Sequence, residues 1–371
     1  MNTMKTPRRL MLGLLSVGLM ALLLLGWLRA AAPVWDGAYP ATRITLLPSS
    51  GGNPKFSHEI AILRPTLQHS VPVNTFEVDL RSGEFVLRQT DIFSKDSMPL
   101  SLTRTYNAWD QQQHAFGMGT SHPYDAAPTG TRFPYTYIDI NLEDGNRVHF
   151  PRISQGTGFA DAVYEHSTTA SEFFGGRIAW NGNGWTMNLR NGGVFLFPEA
   201  YYSKTLTQGA ATEIRDARGQ RILLQRDAQR NLRRLVSPSG RTIDFVLNGT
   251  RIDEAHDDRG RSVGYWYDTA GHIYAVTDNA KHVTRFTYDH NLMISVEDEA
   301  GRVLLQNTYD NSRVVEQKVA DGSVYHYRYT WNSAGELERT LVGMPNGTGI
   351  ALTFDHGRLV SQDAIQKSVQ Q

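Results

Sequence analysis

The chain has 371 residues, enough for two ordinary domains, and 37 basic residues balance 37 acidic ones for a net charge of zero. That balance argues against a surface built for nucleic acid or anionic lipid, since both demand a basic excess. There are no cysteines, so disulfides, thiolate metal sites and cysteine nucleophiles are all excluded.

Residues 1–32 read as a targeting segment. Lys5, Arg8 and Arg9 precede an uncharged apolar run of 19 residues, Leu10 to Leu28. That length lies between a signal-peptide core and a spanning helix. Ala30-Ala31-Ala32 resembles a cleavage site, but Pro33 follows and disfavours processing. The positive flank places the N-terminus inside the cell and the body outside. The expectation is a hydrophobic helix anchored in the inner membrane through residues 10–28 and facing the periplasm. If it is cleaved, the product is secreted or at the cell surface. Residues 33–75 hold six of the fifteen prolines and read as an extended linker.

From residue 76 onward no stretch keeps a 3.6-residue apolar period for three turns. Short alternating runs take its place, broken by turn signals: GEFVLRQT (83–90), LSLTRTY (100–106) and RVHF (147–150). Asp144-Gly145 lies between YIDINL and RVHF and predicts a two-residue hairpin turn. Residues 177–197 repeat the pattern with Asn-Gly and Gly-Gly. Residues 76–205 are therefore expected to form an all-β domain.

Residues 206–371 carry a repeat. An Asp or Asn returns at Asp227, Asn248, Asp268, Asp289, Asp310, Asn332 and Asp355, in steps of 21, 20, 21, 21, 22 and 23. A near-constant period is the mark of stacked structural units. Read backwards in steps of two, each Asp or Asn is preceded by mostly apolar residues, for example Tyr267, Tyr265 and Val263, or Tyr288 and Phe286. The other parity holds polar residues such as Arg285, Thr287 and Thr308. Alternation of this kind gives a strand one apolar and one polar face. The Asp then opens a turn, with Gly271 or Gly335 supplying a positive φ. An exit strand follows, apolar five residues past the Asp in most units: Leu232, Ile273, Ile294, Val315, Leu337 and Val360. A second turn signal comes about ten residues later, as at Asp257 to Gly260 and Asp298 to Gly301. Each unit is thus two strands and two turns, and only a stack of units can bury the apolar face.

On these residues the chain resembles the Rhs/YD-repeat family. Tyr267-Asp268, Gly271 and Ile273 carry the motif, with Tyr288-Asp289 and Tyr309-Asp310 repeating it. VPVNTFEVDLRSGEFVLRQTDI and PLSLTRTYNAWD, followed by Phe116-Gly117, resemble the all-β domain that precedes such repeats. The resemblance covers residues 71–371. It implies a YD-repeat β-sheet spiral of about seven units over 206–371, wound into a hollow shell that in full-length bacterial members encloses a toxic domain. The tail SQDAIQKSVQQ matches no closing segment and no toxin, which implies a partial, toxin-related shell without cargo.

Chemistry is sparse. The twelve histidines show no metal-ligand spacing, no GxSxG elbow is present, and the acidic run from Asp253 to Asp258 lacks calcium-loop spacing. No catalytic, cofactor or metal site is expected. Tyr265, Tyr267, Tyr327, Tyr329 and Trp331 share the core parity, so only Trp266 points outward as a glycan contact. The resulting expectation is a non-enzymatic scaffold for binding or assembly at the cell envelope. It would pair with itself or with a protein that completes the shell. The alternative is a carbohydrate or cell-wall binding module.

Overall fold

The computed structural model describes residues 77–168, 171–200 and 203–365. The apolar run 10–28 and the linker 33–75 lie outside the described residues. Among those that are described, no helix is long and apolar enough to cross a membrane.

The protein is all-β. Its main feature is a 14-stranded antiparallel sheet in which every strand pairs with its chain neighbours. The strands run β14 (Leu223–Arg226), β15 (Leu232–Val236), β16 (Thr242–Asn248), β17 (Arg251–Asp257), β18 (Ser262–Tyr267), β19 (Ile273–Thr277) and β20 (Val283–Asp289). They continue as β21 (Leu292–Glu297), β22 (Val303–Asp310), β23 (Arg313–Val319), β24 (Val324–Trp331), β25 (Leu337–Gly343), β26 (Gly349–Asp355) and β27 (Arg358–Ile365).

The alternating pattern explains its burial. Ile243, Val263, Tyr265, Phe286, Leu305, Tyr327 and Ile350 are buried, while Arg285, Thr287, Gln306 and Thr308 on the other parity are exposed. Trp331 departs from the expectation: it shares the parity of Tyr327 yet is 42% exposed. It is the last residue of its strand and packs beside Tyr329 and under the Arg313 guanidinium, 5.1 Å from its ring centre, at the margin of the core.

A register shift recurs seven times. Each hairpin from β14–β15 to β26–β27 carries one β-bulge, just before the recurring Asp or Asn, at Arg226, Leu247, Tyr267, Tyr288, Tyr309, Trp331 and Phe354. The exit strand holds the extra residue. Loop length decides which residue it is. At Asp227, Asp268 and Asn332 the loop carries a residue of positive φ at Arg230, Gly271 and Gly335, and the residue five past the Asp or Asn packs inward. At Asp289 and Asp310 the loop is two residues, with His290 at φ 55, and Asn311 and Ser312 at φ 48 and 63. There Ile294 and Val315 become the bulged residues, and Met293 and Val314 take the core. The five-residue offset therefore misplaces the core residue in the short-loop units.

The hairpin at Gly145 also differs from expectation. Gly145 N–H donates to the Leu142 carbonyl at 3.1 Å and Leu142 N–H to the Asn146 carbonyl at 2.8 Å. Glu143 and Asp144 are thus the central turn residues, and Gly145 follows them at φ 79, which makes a three-residue loop.

Residues 77–215 form smaller sheets. β1 (Val86–Ser94), β2 (Leu100–Asn107) and β5 (Thr120–Ser121) form one. β3 (Gln113–His114) and β4 (Gly117–Met118) pair as a two-stranded ribbon, and β6 (Ala127–Gly130), β7 (Tyr137–Asn141) and β8 (Arg147–Pro151) form another sheet. A third has five strands: β9 (Val163–Glu165), β10 (Arg177–Trp180), β11 (Gly184–Asn188), β12 (Val194–Pro198) and β13 (Glu213–Arg215). β1 and β2 are buried on both faces, and one hydrophobic core runs continuously from Val78 to Phe354.

Candidate functional site

The repeat motif and the segment 77–125 meet along one buried line. At the bulges the strand ladder is interrupted, and backbone groups need other partners. The carbonyls find them in tyrosines of the following unit. Tyr267 Oη donates to the Ile252 carbonyl at 2.5 Å, Tyr288 to Ile273 at 2.9 Å, Tyr309 to Met293 at 2.8 Å and Tyr329 to Val314 at 2.8 Å. The N–H groups find partners in residues 83–115. Ile252 donates to the Ala115 carbonyl at 2.8 Å, Val314 to the Gly83 carbonyl at 2.9 Å and Met293 to Tyr106 Oη at 2.9 Å. The same Tyr106 hydroxyl donates to the Asn291 carbonyl at 2.7 Å. The inner face of the sheet is, along residues 252–340, covered by residues 80–118. Burial pushes the Tyr288 and Tyr309 hydroxyls well above the ordinary phenol range, so both remain proton donors.

The two aspartate forms differ in work. Asp268 Oδ1 accepts the His272 N–H at 2.9 Å, and Oδ2 lies 3.1 Å from His272 Nδ1. His272 stacks on Tyr288 with ring centroids 4.4 Å apart, which joins one unit to the next. Gly271, at φ 93, brings its carbonyl to Met118 N–H at 2.8 Å; a Cβ on Gly117 would lie 2.1 Å from that oxygen. Asp289 and Asp310 are exposed at two-residue turns and bond only to their neighbours, His290 at 2.8 Å and Asn311 at 3.1 Å.

At the centre sits a buried ion pair. Arg104 Nε donates to Asp91 Oδ2 at 2.5 Å, and Nη2 donates to Asp91 Oδ1 at 2.9 Å and to Gln89 Oε1 at 2.7 Å. Tyr265 Oη adds a bond to Asp91 Oδ2 at 2.7 Å. Asp91 reaches this face because it is the extra residue of a bulge between Thr90 and Ile92. Burial alone would push Arg104 down, but the Asp91 carboxylate more than offsets it and holds the guanidinium charged. Both carboxylate oxygens and two of the three guanidinium nitrogens are bonded to protein groups, an arrangement that fixes geometry rather than reacting with a substrate.

His122 is fully buried between Phe116, Tyr124 and Phe245, and neither ring nitrogen has a hydrogen-bond partner. Burial holds it below the usual histidine range against the partial pull of Asp125, 3.4 Å away. Trp266 is 43% exposed on the outer face of β18, where Gly264 leaves room for the indole; a Cβ there would come within 2.9 Å of the ring. Among the described residues no group of three or more His, Asp or Glu is placed to hold a metal.

The sequence patterning marked the tyrosines, but not their role as clips between units. Nothing in it marked Asp91, Gln89 or Arg104, because they belong to no period.

Comparison with known proteins bears on part of this architecture. Residues 76–150 match the family described as a domain of unknown function, DUF6531. No curated protein matches the chain. Among solved structures, the chain is similar to the TcdB2-TccC3-Cdc42 crystal structure at 11% identity, with 75% of this chain and 18% of that chain covered and a TM-score of 0.33. It is similar to a Photorhabdus luminescens Tc holotoxin pore at 12% identity, with 76% and 18% covered and a TM-score of 0.32. The chain thus spans under a fifth of the length of either.

Proposed function

We propose that the protein is a non-enzymatic scaffold of the Rhs/YD-repeat kind, toxin-related and acting by binding or assembly at the cell envelope. In this reading residues 10–28 anchor it in the inner membrane with the body in the periplasm, or direct its export. Seven bulged hairpins, with four tyrosine clips between units, support the repeat assignment. The observation that carries the partner is the edge of the long sheet. β27 pairs with β26 on one side, and among the described residues nothing pairs with its other side. It is eight residues long, and Val360 on it is 55% exposed. An unpaired edge of that length is a template for another strand. The occupant is a second copy or a protein that supplies the next strands.

Sedimentation of the full chain in mild detergent, with hydrogen exchange over 358–365, tests this. A self-associated or co-purified complex in which those amides are protected supports the reading. A monomer at all concentrations with the same amides already protected overturns it. For topology, protease added to spheroplasts should digest the body, and protection of the body would refute the outward orientation.

A further inference from the structure

A cleft of about 340 Å³ opens on the five-stranded sheet, far from the repeat motif in sequence. Its floor is a cluster of rings. Trp180 and Trp185 face each other across β10 and β11, with centroids 5.3 Å apart and edge-to-face. Phe159 packs on Trp180 at 4.9 Å and on Tyr135 at 5.9 Å, while remaining 42% exposed. Phe133 stands at the mouth, 83% exposed, at φ 56. Left-handed backbone at a bulky residue is a strained conformation. It is held by its loop: Thr131 Oγ1 accepts the Thr136 N–H at 2.7 Å and pairs with the Thr136 hydroxyl at 2.6 Å. A fold that spends strain to hold a phenyl ring in water beside four other aromatic rings has kept an apolar patch open.

The rim is polar. Glu199 is exposed there, and Arg132 is fixed by donating to the Ala200 carbonyl at 2.8 Å. Across Pro128–Gly130, Arg132 and Ala200, which line both, the cleft adjoins a second cavity of about 580 Å³ that is bordered by Gln112, His114 and Lys204.

We infer that this double cleft is an oligosaccharide site. One sugar ring would lay its C–H face on the exposed Phe159 with Trp180 walling its edge, since those two rings stand at 74° to each other, and its hydroxyls would bond to Glu199 and Arg132. The chain would continue into the polar cavity. The chemistry selects this class: the floor wants a flat apolar face, and the rim wants many neutral hydroxyls within one ring's width. A lipid tail would leave the rim unsatisfied. A nucleic acid would find Arg132 offset by Glu199 on a chain of zero net charge. The site is independent of the β27 edge and of Trp266.

The test is calorimetric titration of the full chain in mild detergent with cellotetraose, chitotetraose and the disaccharide of N-acetylglucosamine and N-acetylmuramic acid. At least one should bind. Phe133→Ala and Phe159→Ala should each weaken it about tenfold, which corresponds to about 1.4 kcal/mol. Trp266→Ala should leave it unchanged. Phe133→Ala should not shift thermal unfolding downward, so loss of binding there is not loss of fold. The inference is overturned if none of the three binds below about 10 mM, or if binding ignores both phenylalanines. It is also overturned if the cleft variants abolish capture of a proline-rich peptide while no saccharide binds.

Discussion

In the long sheet each strand between the two edges, β14 and β27, pairs with the strand before and the strand after it. Residues 77–125 bond across great sequence distance: 102 residues from Tyr124 to Arg226, 174 from Asp91 to Tyr265 and 260 from Leu80 to Thr340. The repeat supplies order through local pairing, but its bulges leave backbone groups over. The N-terminal segment has no period and supplies what those groups lack. Neither region is complete without the other, although only one of them advertises itself by repetition.

The sharpest way to break this relation is at Arg104. Arg104→Leu strands the Asp91 carboxylate in the core and should cost about 3–5 kcal/mol in a urea titration. Removing both charges, with Arg104→Leu and Asp91→Leu together, should cost much less than the single change. Equal losses would mean that Asp91 is not the partner that matters. A similar loss, about 3–5 kcal/mol, is expected for Phe286→Ala, which is 4% exposed beneath the Arg104 guanidinium. Its neighbour Arg285→Ala, on the exposed face, should change stability by less than about 0.5 kcal/mol. Comparable losses at 285 and 286 would reverse the face assignment.

The clips should be weaker. Tyr288→Phe removes one hydroxyl and orphans the Ile273 carbonyl, at a cost of about 1–2 kcal/mol by chemical denaturation. No change would mean that water replaces the clip. Asp268→Ala should cost about 1 kcal/mol, because the carboxylate holds its turn, while Asp289→Ala should cost less than about 0.5 kcal/mol. Identical values would show that the two turn forms are energetically alike.

The smallest effect is one of pH. His122 is held below its ordinary value of 6.5 by burial, so the unfolded chain binds the extra proton. Stability from this site is present above about 6.5 and is lost as pH falls below it. His114 has the opposite sign. Burial pushes it down, but Asp110, with a carboxylate oxygen 2.7 Å from Nε2, raises it overall. Its contribution is present below about 6.5 and is lost as pH rises through the raised value. Unfolding free energy against pH should lose its acid-side rise in His122→Leu and its neutral-side fall in His114→Gln. Unchanged slopes would contradict both.

Much of the long sheet could be read from the chain. Parity placed Phe286, Tyr265 and Tyr327 inside and Arg285 outside because a strand has only two faces. The near-constant period conceals that some turns have two-residue loops and others longer ones, a difference that moves the core position from Ile294 to Met293. Trp331 escapes the parity rule because it ends its strand at the margin of the core, where it lies against Arg313 and Tyr329. The Arg104 pair and the aromatic cleft were invisible for a different reason. Their members come from separate stretches, such as Tyr135, Phe159 and Trp180, and only folding brings them together.

The 260-residue reach from Leu80 to Thr340 also sets a timetable. A ribosome adding about 5–20 residues per second needs roughly 13–52 s to make the second partner after the first. Asp91 of β1 and its partner Arg104 of β2 wait a shorter time for Tyr265, 174 residues on from Asp91, or roughly 9–35 s at the same rate. Residues 80–107 are therefore made long before their final surroundings, and slowing elongation across residues 223–340 should lengthen the window in which they can be cut or captured.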